Sequence, residues 1–382
     1  MSSSFDVVVI GGGVVGLSAA LSMHQRGYSV ALFDASDDAV VSRVYAINQA
    51  SIRLFTALGI WPLIDKTRVQ AYEKIHVWDA TNKGAIDFDA RMIGRNNLGY
   101  IMEEASIKDA LWVELCQKGI DVFKNTRMTS VTLAEDGVNI SDGCSEWQGK
   151  LMIVADGARS TMRDLLNVAV TSWSYHQEAL VTTVVTEKPH LSTAYQVFHE
   201  DGPLAFLPLA DGHQCSIVWS TAPTTVKTLM ALSEAQFERE LAHAFEETLG
   251  ACKLVGNRSH FPLSMRHANV YSGRHWLLMG DAAHTIHPLT GLGLNLGLAD
   301  LTSWLAFIDA ANPSIFSRKI LSAYQRERKY EVWKLITVIE GLKALFANSL
   351  PPVTFLRGVL LTACDHIPPL KRFFIQQAVG SY

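Results

Sequence analysis

The feature that most constrains the fold is the amino-terminal stretch FDVVVIGGGVVGLSAALSMHQRGYSVALFDAS. Val7–Ile10 form a continuous β-branched run, which is typical of a strand buried on both faces of a parallel sheet. A small-residue helix follows and ends near Arg26–Gly27, and a second strand covers Ser29–Phe33. This order of strand, helix and strand predicts an α/β fold that begins with a Rossmann-type βαβ unit.

Three glycines and one acid give this unit a dinucleotide-binding pattern. Gly11, Gly13 and Gly16 fit G-x-G-x-x-G, and Asp34 follows the second strand about 20 residues later. Gly11 allows a tight turn, Gly13 lets the backbone approach a pyrophosphate, and Gly16 permits close packing of helix on strand. The helix N-terminus would face the phosphates, and Asp34 would accept hydrogen bonds from a ribose. The motif predicts a bound dinucleotide rather than a ligand-free glycine turn, but it does not separate FAD from NAD.

Two later stretches also place a polar or glycine turn after an apolar strand. In KLMIVADGARS, a strand at Leu151–Ala155 leads into Asp156-Gly157. In HWLLMGDAAHTIHPLTGLGLNLGLAD, a strand at Trp276–Met279 leads into Gly280-Asp281 and then into a long helix. Both turns therefore follow the end of an apolar strand, as the glycine loop after Ile10 does.

The last of these stretches also contains residues that could bind a metal ion. Asp281, His284 and His287 provide two imidazoles and a carboxylate, which is a possible iron-ligand set. However, the stretch is a strand exit into a glycine-rich turn, which would not hold ligands rigidly. We therefore predict no metal, and expect His284 to be a buried, hydrogen-bonded histidine with His287 near the active site.

Taken together, the three motifs resemble those of the class A flavoprotein monooxygenases, aromatic hydroxylases that carry FAD on a single Rossmann domain. That family shows G-x-G-x-x-G, ADG and GDAAH in this order, and here they stand at 11–16, 155–157 and 280–284. Within the family, the chain most resembles the ubiquinone-biosynthesis hydroxylases, in RVYAINQAS, LGIW, GPLAFLPL and IPPLKRFFIQQAVG. The resemblance covers essentially the whole chain.

The resemblance assigns roles to individual residues. It implies that Asp281 bonds the ribityl chain, that Gly291 and Gly293 open the flavin face to a helix N-terminus, and that Pro288 shapes an apolar turn beside the ring. The full set assigned to the cofactor is Gly11, Gly13, Gly16, Asp34, Arg43, Asp156, Gly157, Gly280, Asp281, Pro288, Gly291, Gly293 and Asn295, and the set assigned to catalysis is Pro288 and His287.

The chemistry that the resemblance implies uses FAD, NAD(P)H and O₂. Reduced FAD would form a C4a-hydroperoxide that hydroxylates a (poly)prenylated phenol or quinol ring, while the protein orients the reactants and excludes water. Two alternatives remain at this stage. One is a flavin monooxygenase acting on another aromatic compound, and the other is a non-catalytic FAD-binding scaffold within a biosynthetic assembly.

Two stretches near the cofactor motifs need separate comment. Arg43 precedes a helix-like run that reaches Leu58, and the resemblance places this arginine near the flavin and phosphates. Relatives often have an Asn-Arg pair or a Gln after GYI, whereas this chain has Glu103, Glu104 and Ala105 after GYIM. No cofactor contact is therefore carried over to this stretch.

The motifs and the strand pattern divide the chain into interleaved parts. We predict an FAD-binding domain of the para-hydroxybenzoate-hydroxylase type at 1–70, 99–173 and 261–345, an inserted antiparallel β-sheet substrate domain at 71–98 and 174–260, and a C-terminal helical segment at 346–382. The stretch GPLAFLPL is apolar and could line a substrate cleft. For its residues Phe206, Leu207 and Leu209, however, we expect a place in the core of the sheet rather than in the cleft.

Composition limits the partners. The net charge of −4 gives no electrostatic reason to expect nucleic acid binding, and five dispersed cysteines indicate reduced thiols. We expect a cytoplasmic protein with a hydrophobic aromatic substrate, and the sequence leaves open a homo-oligomer and contacts with other ubiquinone-biosynthesis proteins. The final segment pairs Phe355, Leu360 and Phe373 with Arg357 and Lys371, which suits contact with a membrane surface, packing on the FAD domain, or a subunit interface.

Overall fold

The structure is a computed structural model that describes residues 3–35, 43–82, 84–288, 291–311 and 316–346, together with 348, 350, 371, 372 and 375. Within these residues the strands are β1 (Ser3–Ile10), β2 (Val30–Phe33), β3 (Val44–Asn48), β4 (Val69–Tyr72), β5 (Lys74–Asp79), β6 (Ala85–Asp89), β7 (Gly99–Glu103), β8 (Asp121–Phe123), β9 (Ser130–Leu133), β10 (Val138–Ser141), β11 (Glu146–Val154), β12 (Val170–Thr186), β13 (Thr193–His199), β14 (Gly202–Pro208), β15 (Gln214–Thr221), β16 (Cys252–Leu254), β17 (Ser259–Ala268), β18 (Ser272–Gly273), β19 (Trp276–Leu278) and β20 (His284–Thr285). The α-helices are α1 (Val14–Gln25), α2 (Gln49–Ala57), α3 (Glu104–Lys118), α4 (Thr161–Leu165), α5 (Pro223–Ala231), α6 (Glu234–Ala244), α7 (Gly293–Ala311) and α8 (Arg318–Phe346).

The first sheet carries the amino-terminal unit. Its order is β18-β19-β11-β1-β2-β8, with β10 and β9 attached beside β11. The pairs β19–β11, β11–β1, β1–β2 and β2–β8 are parallel. Val7, Val8 and Val9 of β1 have no exposed surface, as expected for a strand covered on both faces. The predicted βαβ unit is therefore confirmed, with β2 beginning at Val30 and α1 ending at Gln25.

The second sheet is mainly antiparallel. Its order is β20-β17-β12-β15-β14-β13-β5-β6, and β16 pairs with β12. In the part predicted as an antiparallel insert, β12, β15, β14 and β13 pair antiparallel in that spatial order. The expectation of core is confirmed for Phe206, which is fully buried and stacks on Phe245 with ring centroids 3.6 Å apart. Leu207 and Leu209 are half-buried and pack with a different apolar cluster, which includes Tyr72 and Ile101.

A third sheet, ordered β3-β7-β4, lies between these parts. It corrects one expectation, because Arg43 precedes strand β3 and not a helix. The helix α2 begins only at Gln49, where the side chain of Asn48 caps it by accepting a hydrogen bond from the Ser51 N–H at 2.9 Å. The run Val44–Asn48 pairs antiparallel with Gly99–Glu103, and the β-branched Val44 and Ile47 suit this pairing.

The predicted division of the chain cuts through three strands. The boundaries after 70, 173 and 260 fall inside β4, β12 and β17, each of which is continuous across its boundary. The 17-residue strand β12 crosses its boundary with an irregularity between Ser174 and Gln177, where His176 has a left-handed φ of +53°. At these three boundaries the neighbouring parts are joined by a shared strand, and the domain division stays a prediction.

The carboxyl-terminal part is helical up to Phe346, where α8 ends. Of the predicted segment 346–382, the structure describes only a few residues, among them Ile375, which is buried beside Tyr72 and Ile101. Phe355, Arg357, Leu360 and Phe373 lie outside the described residues. Among the helices in the described part of the chain, none is long and apolar enough to cross a membrane.

Candidate active site

The first motif forms a loop between β1 and α1. Gly11 has φ +112°, and a Cβ there would overlap the carbonyl oxygen of Ala155. A Cβ on Gly16 would overlap the carbonyl oxygen of Gly11, so both positions need glycine for packing. Around Gly13, the N-cap of α1, none of the described residues apart from its chain neighbours has an atom within 4 Å of the position a Cβ would take. Gly13 therefore borders open space at a helix N-terminus, where a phosphate binds favourably.

Asp34 ends β2 beside this loop. Its side chain is 8% exposed, and its backbone N–H donates to the carbonyl of Phe123 at 3.0 Å. A Cβ on Gly12 would overlap the carboxylate of Asp34, so this carboxylate lies directly against the glycine loop. The position suits an acceptor for the ribose hydroxyls of a nucleotide bound on the loop.

The second motif follows β11, the parallel neighbour of β1. Asp156 accepts a hydrogen bond from the Met162 N–H at 3.1 Å, and Ser160 caps α4 by accepting from the Arg163 N–H at 2.9 Å. Burial raises the pKa of Asp156, although hydrogen bonds from Ser160 and Met162 act in the opposite direction. Gly157 has φ +84°, and a Cβ there would have no atom within 4 Å from the residues that the structure describes, its chain neighbours aside. Asp156 therefore fixes the turn, and Gly157 leaves room beside it.

Arg163 joins the second and third motifs, and no sequence motif marks it. Its side chain is buried, and its guanidinium donates to the carbonyls of Ala282 and Ala158, each at 3.1 Å. Arg266 donates to the same Ala158 carbonyl at 2.9 Å. Sequence reasoning missed Arg163 because its partners are backbone carbonyls, which any residue supplies.

The third motif begins with a short 3-10 turn at Gly280–Ala282. Gly280 has φ +59°, and its N–H donates to the carboxylate of Asp300 at 2.8 Å. The next residue, Asp281, is exposed to solvent although protein surrounds it on most sides, which indicates a carboxylate on the wall of a deep cleft. Burial raises the pKa of Asp281, and the nearby charges of His284 and Arg43 oppose this rise.

Asp281 belongs to a charged group that also contains Arg43, Tyr45 and Glu104. Burial raises the pKa of Tyr45 to about 12, and the Glu104 carboxylate adds to the rise. Burial lowers the pKa of Arg43, but Tyr45, Glu104 and Asp281 outweigh it, so the net pKa is raised. Arg43 therefore stays cationic and its charge acts on Asp281, whereas its place near the cofactor stays a prediction.

The acidic stretch that departs from the family pattern has protein partners. Glu103 forms an ion pair with Arg68, and Glu104 is the first residue of α3. The backbone N–H of Glu104 donates to the carbonyl of Arg43 at 2.8 Å. The hydrogen bond from Glu104 connects the start of α3 to Arg43, which directly precedes β3. The acidic residues at 103 and 104 can therefore influence the site through Arg43.

The glycines of the third motif lie at the start of α7, which begins at Gly293. Gly291 has φ +60°, and its N–H donates to the carbonyl of Pro288 at 2.9 Å. A Cβ on Gly291 would lie 3.5 Å from the Cβ of Ala46, whereas a Cβ on Gly293 would have no atom of another described residue within 4 Å, its chain neighbours and own helix backbone aside. The helix thus presents a bare glycine and its positive N-terminal end to open space.

Asn295 holds this helix start against β3 and α2. Its Oδ1 accepts from the Asn48 N–H and the Ser51 Oγ, each at 2.9 Å. Its Nδ2 donates to the carbonyl of Ala46 at 2.7 Å and to that of Gly291 at 3.4 Å. Since protein groups use both ends of this amide, we infer that Asn295 acts on the cofactor by positioning the Gly291 loop.

The side chain of His287 is buried in the protein and does not face solvent. It is 1% exposed, its Nε2 is 3.1 Å from Gln177 Oε1, and its ring packs edge-on against Tyr175 with centroids 4.8 Å apart. Burial lowers the pKa of His287 to about 3, and the positive charge of Lys343 contributes. The imidazole is therefore neutral at physiological pH, which suits a wall residue better than a proton donor.

His284 is a buried, hydrogen-bonded histidine, as predicted. It is 2% exposed, and its Nε2 lies 2.7 Å from the carboxylate of Asp300. The Nε of Arg328 donates to the same carboxylate at 2.8 Å. Within the part of the chain that the structure describes, no group of three or more His, Cys, Asp or Glu side chains is arranged to hold a metal ion.

Contacts between the motifs bring them to one edge of the first sheet. Gly11 packs on Ala155, and a Cβ on Gly280 would lie 3.3 Å from Val15 at the start of α1. A family model described as an FAD binding domain matches residues 4–338. The chain belongs to this FAD-binding family of monooxygenases.

Relatives of this flavoprotein are named as ubiquinone hydroxylases. It is 31% identical to the 3-demethoxyubiquinol 3-hydroxylase of Escherichia coli (strain K12), with 98% of each chain covered. It is 31% identical to the ubiquinone hydroxylase UbiL of Rhodospirillum rubrum, over 98% of this chain and 90% of that protein. It is 29% identical to the human mitochondrial ubiquinone biosynthesis monooxygenase COQ6, over 96% of this chain and 91% of that protein.

Solved structures share the fold of this flavoprotein. The p-nitrophenol 4-monooxygenase PnpA of Pseudomonas putida superposes with a TM-score of 0.80 at 18% identity, with both chains fully covered. The anhydrotetracycline hydroxylase OxyS of Streptomyces rimosus gives a TM-score of 0.73 at 20% identity, over 99% of this chain and 76% of that one. The predicted FAD-binding α/β fold is thereby confirmed.

The residues of this flavoprotein fit its FAD cofactor. Three positions without a neighbouring side chain, Gly13, Gly157 and Gly293, leave the approach to the backbone open. Asp281 and Arg43 are both solvent-exposed and near each other, so both can bind polar groups of a ligand. NAD(P)H is the electron donor typical of the family.

Proposed function

We propose that this monooxygenase hydroxylates the ring of a polyprenylated phenol or quinol in ubiquinone biosynthesis, with NAD(P)H as the electron donor and O₂ as co-substrate. The observation that carries the proposal is the near full-length similarity to proteins named as ubiquinone hydroxylases in bacteria and mitochondria. A resemblance confined to the FAD motifs would not favour one aromatic substrate over another, because those motifs serve only the cofactor.

The surface next to the flavin loop supports an apolar substrate. Ala46 contacts the position of Gly291 and belongs to an apolar cluster with half-buried Val44, Leu207 and Leu209. The alternation of β14 turns Phe206 into the core of one face and Leu207 to the opposite face, toward β3 and β7. Half-buried apolar side chains beside a cofactor loop suit a hydrophobic ring and its prenyl tail.

The protein's own groups would orient the reactants and exclude water. When bound, FAD supplies electron acceptance from NAD(P)H and activation of O₂. We propose that Asp281 holds the ribityl chain and that Arg43 stays cationic beside it. The N-terminal end of α7 at Gly293 would stabilise negative charge on the flavin pyrimidine. The apolar residues around Ala46 would keep water from the reacting ring.

Mass spectrometry of quinones in cells that lack the gene tests the proposal. We expect a polyprenylated phenol or quinol lacking one hydroxyl to accumulate, and the wild-type gene to restore ubiquinone. A gene encoding Asp281→Asn should restore much less, whereas Asp309→Asn, which changes a surface acid paired with Arg26, should restore as much as the wild type. Normal ubiquinone without any such intermediate in the deletion strain would overturn the substrate assignment.

The same cells and the purified protein separate the two alternatives. A monooxygenase of another aromatic compound would leave ubiquinone normal and cause a different phenol to accumulate. A non-catalytic scaffold would bind FAD, but the flavin absorbance would not bleach with NADPH or NADH in the presence of any candidate aromatic. Bleaching followed by reoxidation with O₂ supports the monooxygenase.

A polyprenylated substrate resides in a lipid bilayer, so we also propose that the protein works peripherally at the inner face of the membrane. The final segment, for which membrane contact is one of three interpretations, lies almost wholly outside the described residues. Flotation of the full chain with liposomes, with and without a polyprenylphenol, tests this contact. Recovery of all the protein in the lipid-free fraction would count against it.

A further inference from the structure

A buried ionic network lies beneath the third motif, and Asp300 on α7 is its centre. Asp300 has no exposed surface, and one carboxylate oxygen accepts from the Gly280 N–H at 2.8 Å and from His284 Nε2 at 2.7 Å. The other oxygen accepts from Arg328 Nε at 2.8 Å. Burial alone would raise the pKa of Asp300, but His284 and Arg328 outweigh it and the net pKa is lowered.

Arg328 comes from α8, far along the chain from every motif. It is 6% exposed and lies on the buried side of the helix between Tyr324 and Val332, four residues away in each direction. Its Nη2 is buried and has no hydrogen-bond partner among the described residues. Burying an ion pair costs desolvation free energy that an apolar residue at this position would avoid. An arginine at this position therefore costs more free energy than an apolar residue would, and what it contributes in return is its hydrogen bond to the Asp300 carboxylate.

The network reaches the cofactor side through Gly280. This residue has a left-handed φ of +59°, and a Cβ on Gly297 of α7 would lie only 3.0 Å from its Cα. The Gly280 N–H is held by Asp300, and Asp281 follows directly in the chain. Because two sides of Gly280 are fixed, any rotation of the Asp300 carboxylate would move Gly280 and turn Asp281 within the cleft.

We propose that Arg328 is a positioning residue for FAD. By holding Asp300 in one orientation it fixes Gly280, and through Gly280 it aims the Asp281 carboxylate at the ribityl-flavin half of the cofactor. The inference rests on the proposed role of Asp281 at the ribityl chain. It predicts that Arg328 affects one half of the FAD molecule, since the adenosine half would lie on the Gly13 loop and Asp34.

Calorimetric titration of the apoprotein with FAD and with ADP tests this division, because ADP carries only the adenosine and pyrophosphate half. For Arg328→Met we expect the Kd for FAD to rise about tenfold or more, as loss of a charge-assisted contact implies, and the Kd for ADP to change less than about twofold. Arg328→Lys keeps a buried cation, so its Kd for FAD should fall between those of the wild type and Arg328→Met.

The matched control is Arg326→Met on the exposed side of α8, which should bind both ligands as the wild type does. Equal weakening of FAD and ADP in Arg328→Lys and Arg328→Met would show a merely structural role and overturn the proposal, as would unchanged binding of FAD. If Arg328→Met does not fold, Arg328→Lys alone decides between these outcomes. The quinone measurement described above tests the substrate and not this comparison, so the two proposals fail separately.

Discussion

Gly13 and Gly16 belong to one motif but differ in what surrounds them. A Cβ on Gly16 would meet the backbone of Gly11, whereas a Cβ on Gly13 would meet no protein atom within 4 Å. Packing within the protein therefore excludes a side chain at Gly16. At Gly13, a side chain would be excluded by a bound ligand and not by another part of the protein that the structure describes. The sequence predicts that both are glycine for a reason, but only the structure separates the two reasons.

Alanine substitutions at these two glycines should therefore have opposite effects. Gly13 has φ −76°, which alanine adopts freely, so Gly13→Ala should lower the free energy of unfolding of the apoprotein by no more than about 1 kcal/mol. It should nevertheless raise the Kd for FAD about tenfold, because its methyl group occupies ligand space. Gly16→Ala should destabilise the apoprotein by about 1–3 kcal/mol. Urea denaturation and FAD titration measure the two effects, and equal loss of stability in both variants would contradict the assignment.

His287 gives a pH dependence with a definite sign. Its folded-state pKa is lowered to about 3, whereas an unfolded histidine has a pKa of about 6.5. Below pH 6.5 the unfolded chain therefore binds a proton that the folded chain does not, and stability falls as the pH drops toward 3. His287→Gln should make the fall between pH 6 and pH 4 shallower, by at most about 1.4 kcal/mol per pH unit.

Urea denaturation at several pH values measures this slope. His243→Gln, at an exposed histidine of α6, is the matched control and should leave the slope unchanged. Identical slopes in the wild type and His287→Gln would show that the buried imidazole does not titrate in this manner.

At the scale of elements, one side chain ties the first turn of α7 to two neighbouring elements. Asn295 joins the first turn of α7 to β3 through Ala46 and to α2 through Asn48 and Ser51. The position of Gly293 beside the flavin space therefore depends on contacts made by elements that carry no cofactor motif. The sequence predicts the helix and its glycines, but it does not predict the partners of the amide.

Asn295→Ala should therefore weaken both the fold and the site. It leaves the Asn48 N–H and the Ala46 carbonyl without their partners, so we expect a loss of about 2–4 kcal/mol in the free energy of unfolding and weaker binding of FAD. Ser51→Ala removes only the hydrogen bond from Ser51 Oγ to Asn295 Oδ1, so it should lower the free energy of unfolding by about 1 kcal/mol. Chemical denaturation compares the two, and a smaller loss in Asn295→Ala than in Ser51→Ala would be contrary to this account.

Helix and strand boundaries show where sequence reasoning works at this scale. The apolar run Val7–Ile10 and the alternation in β13 to β15 identify their strands, because burial on two faces or one face leaves a clear pattern. Strand β3 was missed because Val44–Asn48 lacks a turn signal before α2, and its pairing with β7 is formed across 55 residues. The ties made by Arg163 and Arg328 were missed for a related reason, since long-range partners have no local spacing.

At the scale of the whole molecule, the cofactor is expected to contribute to stability. Segments from the first sheet, from β3 and from α7 meet at the FAD site, so binding of FAD should oppose unfolding of all three. FAD present at 100 times its Kd should raise the free energy of unfolding by about 2.7 kcal/mol. At the same FAD concentration, Asp281→Asn should gain less. Denaturation with and without FAD measures the gain, and no difference for the wild type would mean that FAD does not bind the folded chain.

Arg328 also bears on how this protein can be shortened. A fragment that ended before α8 would retain all three glycine motifs, although the stretch that matches the FAD binding domain runs on to residue 338. It would lack the cation that orients Asp300. All residues of the Gly280 turn would be present, but the carboxylate that accepts from the Gly280 N–H would no longer be held in one orientation. For anyone who trims, splits or fuses this chain, the smallest unit that holds its cofactor firmly therefore extends through the middle of α8, well past the last recognisable motif.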